Sequence, residues 1–161
     1  MSYRLRPHCI SIPALFFDGA QQNGICGCGA WLKLEGEERF HIIWNGGQGS
    51  NNKAEVMALW SGLLVAHHLG LPSIDIYGDS QLVIGSISGR TNLRVSNLSG
   101  WVDRTLYILS QFQRASLHHI YRELNWRADR LSKLGLEHNF GHITVIHIRD
   151  NRERASFRFD L

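Results

Sequence analysis

The stretch Ser73-Ile74-Asp75-Ile76-Tyr77-Gly78-Asp79-Ser80-Gln81 decides the reading of the fold. Residues 73–77 read as a strand, with Ile74 and Ile76 on one face. Gly78-Asp79-Ser80 breaks the run, and a helical segment opens at Gln81. A strand that turns abruptly into a helix resembles the βα unit of an open sheet, where sites form at strand carboxyl ends. Asp79 stands at such an end.

Upstream, residues 15–17 are apolar and stop at Asp18-Gly19. Residues 25–34 and 39–44 supply two further strands, separated by turns at 21–24 and 35–38, so the chain begins with an antiparallel meander. Gly27 and Gly29 permit bends in the second strand. Gly46-Gly47-Gln48-Gly49-Ser50 reads as a flexible loop. Asn52-Lys53-Ala54-Glu55 resembles a capping box, opening a helix that runs to about residue 68. That helix is apolar almost all round and therefore belongs in the interior. Downstream, residues 85–89 break the second helix, and 98–112 form a third, amphipathic through Trp101, Leu106, Leu109 and Phe112. Residues 117–124 read as a fifth strand, and Asn125 caps a last helix that runs through Leu136. The order β-β-β-α-β-α-α-β-α predicts an α/β fold. Its five-stranded mixed sheet has three antiparallel strands, then two parallel ones, and is flanked by helices.

With 161 residues the chain is long enough for one domain with a real core. Hydrophobic residues make up 43% and charged residues 19%, a globular balance. No stretch reads as a membrane span and residues 1–12 lack a signal pattern, so the expectation is an intracellular protein of cytoplasm or nucleus, or a fragment of something larger. The net charge of +3 suits a polyanionic partner without demanding one. Cys9, Cys26 and Cys28 are odd in number and too closely spaced, at Cys26-Gly27-Cys28, for a zinc site. The pairs His67-His68 and His118-His119 point in divergent directions on any regular element and form no obvious ligand pair.

Four acids carry the chemistry: Asp18 in Phe17-Asp18-Gly19, Glu55 in Asn51-Asn52-Lys53-Ala54-Glu55, Asp79 in Gly78-Asp79-Ser80, and Asp129 in Asn125-Trp126-Arg127-Ala128-Asp129. Each has an ordinary local role open to it. Asp18-Gly19 suits a hairpin, Glu55 a capping box, Asp79 an N-cap, and Asp129 the positive end of a helix dipole. Together they do more. The first and fourth strands would be neighbours, setting Asp18 beside Asp79; Glu55, one turn into its helix, would reach over them, and Asp129 would lie at the rim. Carboxylates this close repel unless divalent cations neutralise them, and carboxylate oxygens suit Mg2+ or Mn2+.

In this order the four motifs resemble the ribonuclease H family, type 1, in the short form of archaeal enzymes and of the RNase H domains of plant LINE-type retroelements. The resemblance covers roughly residues 15–137. It implies a ribonuclease H domain over residues 1–138 and a C-terminal extension over 139–161, which holds a strand-like run at 143–148 and an Arg-rich tail. It implies an endoribonuclease that cuts the RNA strand of RNA–DNA hybrids with two Mg2+ ions (or Mn2+), leaving a 5′-phosphate and a 3′-hydroxyl. Asp18, Glu55, Asp79 and Asp129 would be catalytic and hold the metal. Gly19, Ala20, Asn23, Asn51, Asn52, Gln81 and Asn125 would meet the nucleic acid, with Glu55 and the backbone near Gly19 and Ala20 at the 2′-hydroxyl. The alternative is a non-catalytic module of the same fold that binds nucleic acid or protein. The resemblance also admits membership of a larger reverse-transcriptase polyprotein.

Two departures stand out. The best-known bacterial and animal pattern has a flexible loop with a histidine before the last helix; here Tyr121-Arg122-Glu123-Leu124-Asn125 runs straight into it. The basic substrate-gripping protrusion is weak, since residues 91–99 hold only Arg94, with Arg90 just before. The tail, with Arg149, Arg152, Arg154 and Arg158, is open to either a phosphate-binding or a structural role.

Overall fold

The computed structural model describes residues 12–89 and 98–161. Strands β1 (Ala14–Gln22), β2 (Ile25–Leu34) and β3 (Glu38–Gln48) form the expected antiparallel meander. Strand β4 (Ser73–Gly78) lies parallel to β1, and β5 (Arg114–His119) parallel to β4. Two more strands, β6 (His142–Arg149) and β7 (Arg152–Asp160), continue antiparallel from the free side of β3. Over the described residues the sheet is therefore seven-stranded rather than five-stranded, in the order β5-β4-β1-β2-β3-β6-β7. The helices are α1 (Asn51–His68), α2 (Gln81–Ile87), α3 (Ser99–Leu109) and α4 (Trp126–Gly135). Cys9 and residues 90–97, which include most of the expected weak protrusion, lie outside the described residues.

Strand alternation divides the interior in two. Leu15 and Phe17 of β1 pack with Leu59, Leu63 and Val65 of α1 in the main core. Ala14 and Phe16 turn the other way, toward Tyr77, Ile120 and Ala128. Trp44, Trp60 and Trp101 join β3, α1 and α3 through tilted ring contacts at centroid distances of 5.3–6.2 Å. As expected, α1 is buried over most of its circumference.

Glycines set how closely the helices approach. A Cβ on Gly62 would meet Leu15 Cδ1 at 2.6 Å. On β2, a Cβ on Gly29 would stand 2.2 Å from Ser132 N, and one on Gly27 2.2 Å from Ser132 O. These two glycines thus seat α4 almost backbone to backbone on the sheet. A register shift at Cys26/Gly27 adds the bend foreseen there.

Local expectations fail where a distant partner intervenes. The run 46–50 is not all loop: β3 continues to Gln48 because Gly47 and Gln48 pair with Cys26 and Ile25. Ser50, not Asn52, caps α1, its hydroxyl accepting from Lys53 N at 3.1 Å, so the capping-box reading of Glu55 falls away. Ser80 caps α2, so Asp79 is not the cap either. The fifth strand starts and stops earlier than 117–124. β4 offers partners only from Ser73 to Gly78, and beyond His119 the chain tightens into a 3-10 turn at Arg122–Leu124. Asn125 precedes α4 without a side-chain capping bond, since its amide is engaged elsewhere.

The tail is built into the sheet. Ile143 and Val145 of β6 are fully buried, and Phe157 and Phe159 of β7 pack against the same core. Arg149 pairs with Glu38, at the end of the sheet where β1 begins; Asp18 lies toward the other end. The β6–β7 turn, with Arg149, Arg152 and Arg154 around it, is therefore remote from the acids.

Gly29→Ala should lower stability by about 2 kcal/mol or more, because Ser132 N is backbone and cannot yield as a side chain would. Gly100→Ala, at an exposed α3 position with no atom within 4 Å of the added carbon, should leave stability level or slightly raised. Urea denaturation of both variants checks the pair; equal effects would contradict the seating of α4.

Candidate active site

Asp18 occupies the half of β1 that runs past the end of β4, paired with Gly29 of β2. Asp79 follows β4 directly. The parallel register, Phe17 beside Gly78, brings the two acids to neighbouring positions. Glu55 reaches the same corner because α1 presses against β1 there. A Cβ on Gly19 would sit 2.3 Å from Glu55 N, so any larger residue would push Glu55 away. One oxygen from each of Asp18, Glu55 and Asp79 can be chosen such that all lie within 4.8 Å of one another.

Asp129 is not part of this triplet. It lines the same cleft of about 500 Å3, at the rim, where Lys133 Nζ holds it at 3.0 Å. That is the place expected for it. Asn125 ties the floor together: its amide donates to Phe17 O at 2.9 Å and to Asp79 Oδ2 at 3.4 Å. It is 1% exposed and lies beneath the cleft.

Burial dominates the electrostatics. It is the largest cause pushing Asp18 up to about 7, against a hydrogen bond from Glu55 that lowers it, with Asp79 adding a further rise. Glu55 is driven well above the carboxylate range by burial first and the Asp18 charge second. Asp79 is also raised by burial, opposed by the Asn125 amide and by Arg122. Glu55 Oε2 is buried with no hydrogen-bond partner among the described residues. By contrast Asp75, a buried acid outside the cleft, is satisfied by Ser116 Oγ and faces Arg114 at 3.6 Å. Converging hard oxygens, one of them orphaned, fit a divalent cation of the Mg2+ or Mn2+ class.

The expected nucleic-acid contacts divide. Gly19, Ala20 and Asn51 line the acidic cleft. Asn52 and Gln81, in the first turns of α1 and α2, do not line it. Asn23 sits on the β1–β2 turn at φ 54° and lines a separate cleft of about 760 Å3 with Asn45, Gln48 and Phe140.

Three residues not assigned from sequence belong here. Arg122 and Lys133 line the cleft. His119 is 9% exposed, its Nε2 lies 3.0 Å from the Asp79 carbonyl, and its Nδ1 is buried without a partner among the described residues. The i,i+4 spacing of Asp129 and Lys133 was readable. His119 required the β4–β5 register, which pairs it with Gly78.

Known proteins share this arrangement of the chain. Residues 16–135 match the family described as reverse transcriptase-like. Ribonuclease HI of Halobacterium salinarum is 32% identical over 128 residues, which are 76% of this chain and 63% of that protein. A bifunctional protein of Mycobacterium tuberculosis is 34% identical over 86 residues, 53% of this chain and 24% of that one. The chain thus spans less than two thirds of the length of these relatives. Among solved structures, RNase H1 of Halobacterium salinarum superposes with a TM-score of 0.70 at 28% identity, covering 77% of this chain and 96% of that one. LC11-RNase H1, solved in complex with an RNA/DNA hybrid, has the same fold, with a TM-score of 0.70 at 21% identity over 77% of this chain and 96% of its own. The family match runs from within β1 to the end of α4, so the chain belongs to the reverse transcriptase-like family and has the ribonuclease H fold.

Proposed function

We propose that this protein is a divalent-metal-dependent endoribonuclease that hydrolyses the RNA strand of RNA–DNA hybrids, leaving a 5′-phosphate and a 3′-hydroxyl. The observation that carries this reading is the convergence of Asp18, Glu55 and Asp79 in a buried corner of an otherwise basic chain. These three acids, with Asp129 at the rim, would hold two Mg2+ or Mn2+ ions. Bound there, such ions supply an acidified water for attack on phosphorus and charge stabilisation for the leaving 3′-oxygen.

The chain's own groups do the rest. Gly19 and Ala20 bring backbone to the cleft wall with little side chain, allowing close approach of a ribose; Glu55 and this backbone would meet the 2′-hydroxyl that separates RNA from DNA. Asn51 offers an amide to the same groove, with Asn23, Asn52 and Gln81 flanking it. Asn125 and His119 hold Asp79 from below, one by its carboxylate and one by its carbonyl. Arg122 and Lys133 provide positive charge for the phosphate backbone at the cleft edge.

We read residues 1–138 as the ribonuclease H domain and 139–161 as an extension that covers its β3 edge. The same reading places the work inside the cell, in cytoplasm or nucleus, and admits the chain as part of a larger reverse-transcriptase polyprotein. No helix among the described residues is long and apolar enough to cross a membrane.

Matched RNA–DNA hybrid, duplex RNA and duplex DNA, assayed with Mg2+, with Mn2+ and with EDTA, test the function. Only the hybrid should be cut, and EDTA should stop the reaction. Asp18→Asn and Asp79→Asn should each slow hybrid cleavage on the order of a hundredfold or more. Near wild-type rates in both would refute the site.

Stability without metal should also depend on pH in a defined direction. Asp18 binds its proton more tightly folded (about 7) than unfolded (near 3.8). Its contribution is therefore fully present below about 4 and is lost as pH rises through about 7. The melting temperature of Asp18→Asn relative to wild type should climb across that window in EDTA. A flat difference would contradict the burial penalty.

His119→Ala should slow cleavage about tenfold, and His118→Ala far less. His118 lies instead on the Asp75 cluster, with Ser116 Oγ 3.1 Å from its Nε2. His119→Gln, whose amide can reach the Asp79 carbonyl, should recover part of the loss. Equal rates for the two alanine variants, both folded, would remove His119 from the site's support.

A further inference from the structure

The flank of α4 turned away from the acids carries a second feature. At 100° per residue, Asp129 and Lys133 fall on one side of α4, and Arg127, Arg130 and Leu134 on the other, with Ala128, Leu131, Ser132 and Gly135 buried between them. On that far side, Arg39 and His41 of β3 and Trp126, Arg127, Arg130 and Leu134 of α4 line a groove of about 320 Å3.

Among the described residues no carboxylate lines this groove; Glu35, Glu37 and Glu38 line a neighbouring cleft that Arg39 and Arg127 also border. Among the described residues, Arg39, Arg127 and Arg130 have no acid within ion-pair distance, whereas Arg149 and Arg154 each have one. Arg39 donates to the Asn151 amide oxygen at 3.2 Å, which satisfies one nitrogen and neutralises nothing. Arg127 lies over Trp31 at 4.7 Å and over Trp126 at 5.0 Å. Arg39 Nε and His41 Nε2 are buried without partners among the described residues. Burial and the three arginines push His41 down to about 4, so at neutral pH it offers hydrogen bonds rather than charge. Trp126 is 55% exposed and Leu134 39%, an aromatic and an aliphatic surface left open beside the cations.

Uncompensated arginines call for an anion, and an exposed indole beside them calls for a flat apolar group. One ligand class carries both at short repeat, the phosphates and bases of a single strand. A duplex keeps its bases stacked inward and would leave Trp126 unused. We propose that this groove binds single-stranded nucleic acid, with Arg39, Arg127 and Arg130 on its phosphates and Trp126 against a base. The inference rests on the proposed ribonuclease activity in one respect: the strand is the one that runs on from a hybrid over the acidic cleft, a helix width of ~10 Å away.

Binding of a short fluorescent oligoribonucleotide, followed by anisotropy on the full chain in EDTA, tests the groove without cleavage. Arg39→Gln/Arg130→Gln should weaken binding about tenfold and reduce the slope of log affinity against log salt by about 1.4, two contacts at about 0.7 each. Trp126→Leu should weaken binding about fivefold with the slope unchanged. Arg104→Gln/Arg114→Gln, the same charge removed on α3 and on β5 at the opposite edge of the sheet, should change neither. Arg130 is exposed, so Arg130→Gln alone, with a slope change of about 0.7, carries the test if Arg39→Gln unfolds the chain.

Equal losses in the two double variants would reduce the effect to net charge and overturn the proposal, as would an unchanged slope in Arg39→Gln/Arg130→Gln. A polyglutamate peptide that binds wild type and not that variant, while RNA binding persists, would assign the groove to an acidic protein instead. Hydrolysis of a blunt hybrid should be unaffected by Arg39→Gln/Arg130→Gln. If wild type fails to cut the hybrid yet the groove variants lose RNA, the proposed activity fails and the groove stands; if it cuts and the variants bind RNA normally, only the groove fails.

Discussion

Burying Asp18, Glu55 and Asp79 in one corner is a free-energy cost that the rest of the fold is arranged to bear. Desolvation is the largest cause of the rise at each of the three, ahead of their mutual repulsion. Spreading the acids by an ångström or two would therefore relieve little. What keeps them there is close packing on both faces of the sheet. Gly19 lets α1 bring Glu55 down against β1, and Gly27 with Gly29 lets α4 lie close enough to hold Asn125 under Asp79. Small residues at these contacts convert hydrophobic burial elsewhere, in α1 and the Trp44 cluster, into a rigid placement of charge.

A cation entering this corner would meet groups already in position, with few side-chain rotations left to restrict. Asn125 and the Gly19 amide, which bonds Asp18 Oδ1 at 2.9 Å, hold two of the three acids. Glu55 Oε2 has no such support, so it is the oxygen with most to gain from an ion. Asp75 shows the opposite solution for a buried acid. Ser116, Arg114 and His118 gather at its Oδ1, so protein groups answer its charge.

Much of this was legible in the sequence, for a physical reason. Strand ends and helix starts are marked by short-range signals, and Asp18 and Asp79 sit on two of them. The parallel pairing of β1 with β4 then follows from few alternatives. What depended on distant partners was not legible. Asn125 reads locally as a cap, but its amide serves Phe17 and Asp79, which lie far away in the chain. Gly27 and Gly29 read as bends, because nothing local says that α4 will rest on them. His119 reads as an ordinary strand residue until its register against Gly78 is known. The strand β6 was visible as an apolar run, whereas β7 was not: it inserts only Phe157 and Phe159 and otherwise presents polar side chains.

That polarity has a consequence for how the molecule behaves in company. β7 is the outermost strand beside β6, and it carries Arg152, Glu153, Arg154, Arg158 and Asp160 along its length. Charges of both signs on an edge make it a poor template for a strand from another chain. Were β7 lost, the edge would pass to β6, whose Ile143 and Val145 stand opposite Phe159 and Phe157 of the last strand. The final residues then edge the sheet like a selvedge, setting mixed charge where an apolar margin would otherwise lie.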